Sequence, residues 1–153
     1  MAEAVPVTEL TSLVGTEIGV TDWFEIDQDR VNAFADATLD HQFIHIDPVA
    51  AAATPFGGTV AHGFLALSLL PHFLQDISPT IEGALFALNY GTDKVRFIQP
   101  VKVGSRIRVR NTLASVDEKG PGRWLIKQAV TMEIEGQMKP AMVAELLAMV
   151  FVQ

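Results

Sequence analysis

The spacing of hydrophobic and polar positions changes once along the chain. Up to about Leu70 it is mainly helical, and beyond Pro79 it alternates or runs in short apolar blocks bounded by glycine and proline. Residues 16–26 are an early exception, where Trp23, Phe24 and Ile26 predict a strand. Asp27 then stands as an N-cap, because its carboxylate can accept from first-turn amides that have no partner within a helix. Val31, Phe34, Ala35 and Thr38 follow at i, i+3, i+4 and i+7, predicting a helix to about Thr38. Asp47-Pro48 predicts a second start, with Asp as cap and Pro at the first position, where its missing N–H is no loss. Ala50 to Ala53 carry that short helix, and Pro55 with Gly57-Gly58 ends it. A third helix is expected over residues 62–70. It is apolar on nearly every side, which predicts burial all round, and Pro71 is expected to kink or bound it.

Strands are predicted over residues 84–90, 94–98, 105–115, 124–133 and 142–151, with turns at Gly104, Gly120-Pro121-Gly122 and Gly136. Arg106-Ile107-Arg108-Val109-Arg110 alternates as a strand with one wet face should. Early helices, one of them almost wholly apolar, followed by antiparallel strands, predict an α+β fold in which a curved sheet wraps a buried helix.

Composition narrows this further. At 153 residues, 49% hydrophobic and 19% charged, the chain suits one domain over residues 1–153 and does not suit disorder. The absence of cysteine excludes disulfides, thiolate catalysis and cysteine-bound zinc. The opening MAEAVPVTEL lacks the basic head and apolar run of a signal peptide. The longest apolar runs, residues 64–70 and 146–152, are too short to cross a bilayer, so no membrane role and a cytoplasmic protein are expected. A net charge of −7 argues against nucleic acid as a partner. The charge is uneven, however. Lys94, Arg96, Lys102, Arg106, Arg108 and Arg110 are six of the eleven basic residues, and Asp93 is the one acid among them. That window suits either a solvated strand edge or a small polyphosphate ligand.

The residues able to do chemistry cluster between the first and third helices. Asp40, His41, Gln42 and His45 fall within six residues, and His62 stands at the start of the apolar helix. A carboxylate and an imidazole on a non-helical turn can both reach one reactant and move protons near neutral pH. Taken singly, Asp40 as a turn cap and His45 as a satisfied imidazole are the commoner explanation. Phe56-Gly57-Gly58-Thr59-Val60-Ala61-His62-Gly63 leads into the apolar helix. A main-chain amide there, aided by the helix dipole, can bond a carbonyl oxygen that gains charge; a plain loop-to-helix turn is the alternative. Two further constellations are weaker. His41, His45 and His62 with Asp40 or Asp47 lack a recognisable metal spacing, and Ser68 with His62 lacks a glycine-flanked nucleophile turn.

The run Ala37-Thr38-Leu39-Asp40-His41-Gln42-Phe43-Ile44-His45-Ile46-Asp47-Pro48, followed by the glycine turn to His62-Gly63, resembles the MaoC-like dehydratases and (R)-specific enoyl-CoA hydratases. Their signature is D-x-N-P-x-H, a D-P helix and a glycine turn ending in H-G. Residues 96–104, Arg-Phe-Ile-Gln-Pro-Val-Lys-Val-Gly, are similar to the family's strand-turn-strand element. Gln42-Phe43 replaces the usual Asn-Pro, a variant that resembles the NodN-like branch and leaves the exact substrate open. The resemblance implies a hot-dog fold and a hydratase or dehydratase of fatty acyl thioesters. Asp40 and His45 would be the catalytic pair, Gly63 would polarise the thioester carbonyl, and Gln42 and His62 would contact substrate. It further implies a homodimer with the ligand near the subunit boundary. The partner would be an acyl-CoA or acyl-carrier-protein thioester, with no cofactor or metal, since coenzyme A is part of the substrate and its phosphates give the basic window a role. A hot-dog acyl-CoA thioesterase and a non-catalytic acyl-thioester binding protein are the alternatives. Phe43, Phe56 and Phe64 are candidate pocket liners.

Overall fold

The computed structural model describes residues 4–153. The first three residues of the segment read for a signal peptide therefore lie outside the described residues. The chain opens with one helical turn, α1 (Val7–Leu10), and the 3-10 turn Thr11–Leu13. The strand expected over residues 16–26 is two short strands, β1 (Glu17–Val20) and β2 (Phe24–Glu25), both antiparallel to β4 (Arg106–Gly120). Between them the Thr21 N–H donates to the Val109 carbonyl at 3.0 Å and its hydroxyl accepts from the Val109 N–H at 2.9 Å, so backbone and side chain together continue the ladder.

Helix α2 (Gln28–Thr38) begins as the sequence predicts, with the Asp27 carboxylate accepting from the Arg30 N–H at 2.8 Å. After the turn α3 (Phe43–Ile46), the Asp47 carboxylate accepts from the Ala50 N–H at 3.0 Å and starts α4 (Pro48–Ala52). The apolar helix is two segments, α5 (Gly63–Ser68) and α6 (Leu70–Ile77). Pro71 marks the boundary as expected. The helix nevertheless resumes at Leu70 and runs to Ile77, because proline in a first turn costs no internal hydrogen bond.

Burial of this helix is one-sided and not all-round. Leu65, Ala66, Leu69, Leu70, Phe73 and Leu74 are buried against the sheet, whereas Phe64 is 68% exposed. Phe64 rests edge-on against Phe97, with ring centroids 5.9 Å apart.

The remaining strands are β3 (Ala84–Phe97), β5 (Arg123–Ile134) and β6 (Met142–Val152). The sheet order is β1-β4-β5-β6-β3, with β2 also on β4, and the strand pairings are antiparallel. The two strands expected over residues 84–90 and 94–98 are the single strand β3, whose register shifts near Gly91 and Asp93 absorb the apparent break. In β4, Ile107, Val109, Asn111 and Leu113 are buried toward the helices, alternating with Arg106, Arg108 and Arg110 on the other face. Asn111 is the polar member of that apolar row, and its amide donates to the Ser78 hydroxyl at 3.3 Å. A sheet packed around a central helix in this order is the hot-dog arrangement, an α+β fold.

Candidate active site

The site is built where α2, α3 and the start of α5 meet. Leu39 ends α2 in the left-handed conformation, with φ 65°, and this reversal brings Asp40 out of the helical path. The Asp40 carboxylate accepts from the Gln42 N–H at 3.4 Å, and the Gln42 carbonyl accepts from the His45 N–H at 3.0 Å. His45 therefore lies on one turn of helix, α3, and not on a non-helical turn. The three-residue return bond from His45 to Gln42 closes that turn.

His45 is buried, and its Nδ1–H donates to the Val60 carbonyl at 2.6 Å. Because a carbonyl can only accept, this bond fixes the proton on Nδ1 and leaves Nε2 as the imidazole's available atom. His62 is buried as well, and its Nε2–H donates to the Asp40 main-chain carbonyl at 3.0 Å. Its ring lies between Phe34, 4.8 Å away, and His45, on which it stacks at 3.8 Å. One side-chain atom of each of Asp40, His45 and His62 lies within 4.8 Å of the other two. The two imidazoles stack at an interplanar angle of 23°.

A cleft of about 300 Å³ opens beside these residues, lined by His45, His62, Gly63, Phe56, Phe97 and Val101 among others. Gly63 is the first residue of α5, and among the described residues its N–H meets no acceptor. A Cβ at Gly63 would lie 3.2 Å from the Phe97 ring, so glycine is what permits that ring's close approach. The helix behind Gly63 has only six residues before its break, so the donor is the amide itself and not a long helix dipole.

Several sequence expectations are redirected. Gln42 contributes its backbone to the frame, while its side chain neither lines the cleft nor holds a partner among the described residues. His41 pairs with Asp36 at 2.9 Å and Asp47 caps α4, which removes both from any metal set with His45 and His62. Ser68 donates to the Phe64 carbonyl within its own helix, at 2.6 Å, so it forms no triad with His62. Of the three phenylalanines, Phe56 lines the cleft and Phe43 and Phe64 do not; Phe97, from the far end of β3, takes that place.

The basic window divides into paired and unpaired cations. Arg106 forks onto Glu135, Arg108 meets Glu133 at 2.5 Å, and Arg110 meets Glu133 at 2.7 Å and Glu17 at 3.2 Å. Burial pushes the Glu133 carboxyl upward, but hydrogen bonds and charge from Arg108 and Arg110 outweigh it and hold the carboxyl below its ordinary value. Lys94, Arg96 and Lys102 form no ion pair among the described residues.

Sequence reasoning missed Gln28 and Thr59. The Gln28 amide donates to the His45 carbonyl at 2.7 Å and to Asn32 Oδ1 at 2.9 Å, and its Oε1 accepts from the Thr59 hydroxyl at 2.6 Å. The contacts to His45 and Thr59 span 17 and 31 residues, and nothing in local spacing announces them.

Comparison with known proteins agrees with this architecture. The family model described as MaoC like domain matches residues 9–137. The chain is similar to 3-hydroxyacyl-thioester dehydratase Z of Mycobacterium tuberculosis, 50% identical over 139 residues and covering 91% of each chain. It is also similar to nodulation protein N of Rhizobium meliloti, 45% identical over 145 residues, 94% of this chain and 90% of that one. Among solved structures it resembles a monoamine oxidase regulatory protein of Archaeoglobus fulgidus. That match has a TM-score of 0.82 and 21% identity, over 100% of this chain and 99% of the other.

Proposed function

This chain belongs to the MaoC-like dehydratase family, and on that premise we propose that it reversibly adds water to a trans-2-enoyl thioester, giving the (R)-3-hydroxyacyl thioester. The observation that carries the reading is the gathering of Asp40, His45 and His62 within 4.8 Å, with His45, His62 and Gly63 lining one cleft. The name of its 50% identical relative, a 3-hydroxyacyl-thioester dehydratase, supports the same chemistry.

In this mechanism the thioester carbonyl accepts from the Gly63 N–H, which draws electron density from the double bond and makes carbon 3 electrophilic. Asp40 and His45 hold one water between them. Since Nδ1 of His45 keeps its proton for Val60, Nε2 carries the lone pair and is ready to take a proton from that water. As the water oxygen bonds carbon 3, the pair accepts one proton and returns one to carbon 2. The pair thus ends as it began. Dehydration is the same path reversed. Coenzyme A enters as part of the substrate and no cofactor takes part. Lys94, Arg96 and Lys102 are the cations left to meet its phosphates. Lys102 lies on a β-bridge with Val60 and beside the cleft residue Val101, and Arg96 lies beside the cleft residue Phe97.

The working unit in this reading is a pair of chains. β3 is a 14-residue strand paired on one side only, by β6, and it is exposed along nearly its whole length. Leu85, Phe86, Leu88 and Tyr90 are each more than half exposed. A long apolar edge of this kind invites another strand, and we assign it to β3 of a second copy.

Crotonyl-CoA in ¹⁸O-labelled water tests the reaction. The expected product is (R)-3-hydroxybutyryl-CoA with one ¹⁸O at carbon 3 and no free thiol. Free coenzyme A with ¹⁸O in the crotonate carboxylate would make the protein a thioesterase. Binding without turnover of any enoyl-CoA would make it an acyl-thioester carrier.

A further inference from the structure

We propose that Gln28 is a positioning residue for His45, acting through a relay that joins the first turn of α2 to the His45 backbone and to Thr59, the residue before the imidazole's acceptor Val60. The inference rests on the role given to His45 above and concerns how that role is held in place. Gln28 touches neither the cleft nor any reacting atom.

The primary amide of Gln28 is fully used. Its two N–H groups go to the His45 carbonyl and to Asn32 Oδ1, and its oxygen takes the Thr59 hydroxyl proton. Thr59 is buried, and the next residue, Val60, offers the carbonyl that binds His45 Nδ1–H. Val60 in turn donates its own N–H to the Ile44 carbonyl at 3.0 Å, one residue before His45. One side chain therefore ties the backbone carrying the imidazole to the backbone carrying the imidazole's acceptor.

The short helix α3 has one turn and cannot fix His45 alone, since so few residues form a helix only with outside support. The relay supplies that support. Without it, the 2.6 Å bond from Nδ1–H to Val60 loses its fixed geometry, and Nε2 is no longer assured as the imidazole's lone-pair nitrogen.

Three substitutions separate positioning from bulk stability. Gln28→Glu keeps an acceptor for Thr59 but replaces the donor facing the His45 carbonyl with an oxygen that repels it. Thr59→Val keeps shape and removes the hydroxyl. Thr59→Ser keeps the hydroxyl and removes a methyl. Gln28→Glu and Thr59→Val are expected to lower kcat for crotonyl-CoA hydration roughly 10- to 100-fold, the effect of a small misplacement of a catalytic group. KM should stay within about twofold, because no substrate contact is lost. Thr59→Ser should keep wild-type kcat.

A second readout does not depend on turnover. Long-range ¹H–¹⁵N spectra of the imidazoles should give His45 as the Nδ1–H tautomer in wild type and Thr59→Ser, and as a mixture in Gln28→Glu and Thr59→Val. Circular dichroism checks that each variant folds; if Gln28→Glu does not, Thr59→Val carries the test alone. An inactive wild type would remove the hydratase reading and leave the tautomer spectra to decide the relay. Unchanged His45 resonances in folded Thr59→Val would overturn the relay. So would a kcat loss equal in Thr59→Ser and Thr59→Val.

Discussion

At the scale of single residues, the site depends on positions whose chemical type is dictated by what they touch. Leu39 adopts a left-handed backbone that costs a residue with a Cβ about 1 kcal/mol, and it gains no burial in return, being 79% exposed. Strain of this kind persists where the surrounding structure demands it. Here it turns the chain so that the Asp40 carbonyl meets His62 while the carboxylate accepts from the Gln42 N–H and stays within reach of His45. His62 must be an imidazole of the right depth: its Nε2–H secures Asp40, and its ring fills the space between Phe34 and His45. Its Nδ1 is buried with no partner among the described residues. Gly63 is set by contact too, since its φ is ordinary and the Phe97 ring is what excludes a side chain.

At the scale of elements, β4 and β5 carry a cross-strand ladder on the face away from the helices. Glu133 sits between Arg108 and Arg110, and Arg108 also lies over the Trp23 ring, 4.4 Å from its centre. Because the folded-state pKa of Glu133 is depressed, its contribution to stability is fully present above the unfolded carboxyl value of about 4.3. It is lost as pH falls through the lower folded value. Glu133→Gln should therefore lower Tm near neutral pH, and the gap from wild type should close as both are titrated below about pH 4. A gap that stays constant across that range would show that the ladder contributes through packing and not through charge.

These same elements show what local pattern conveys. The alternation in β4 and the caps at Asp27 and Asp47 were legible because each depends on neighbours within a few residues. The break at Gly91 to Asp93 was misleading. A β-bulge lets one strand continue through residues that would otherwise end it, and only the partner strand β6 reveals the register shift. The charge of the basic window was equally deceptive, since Glu133 and Glu135 lie 23 to 29 residues away in sequence and directly across in space. That Asp40 and His45 would come together was legible only from the motif they resemble, since each alone reads more simply as a turn cap and a satisfied imidazole. Val60, Thr59 and Gln28, which fix the histidine, were not, because their bonds are tertiary.

At the scale of the whole molecule, the fold leaves its two ends unequal. β1 and β2 are short and lie on the flank of β4 covered by α6 and the opening helices, while β3 stands open along 14 residues. Phe97, on the last turn of that open strand, lines the cleft, so closing the edge with a second chain would also shape the mouth of the site. The particle in solution should then have twice the 16.6 kDa chain mass, with slow amide exchange along the free edge of β3. A folded 16.6 kDa monomer at micromolar concentration, with that edge exchanging freely, would contradict the pairing.

The central claim is that Asp40 and His45 together perform the hydration, and the loss of enoyl-thioester absorbance from crotonyl-CoA tests it most directly. Wild type, Asp40→Asn and His45→Gln are compared at equal concentration, with the fold of each checked. Wild type should consume the double bond, and each variant should remain folded but lose roughly 100-fold or more in rate, the scale of general acid–base help. Folded variants that hydrate crotonyl-CoA at the wild-type rate would contradict it.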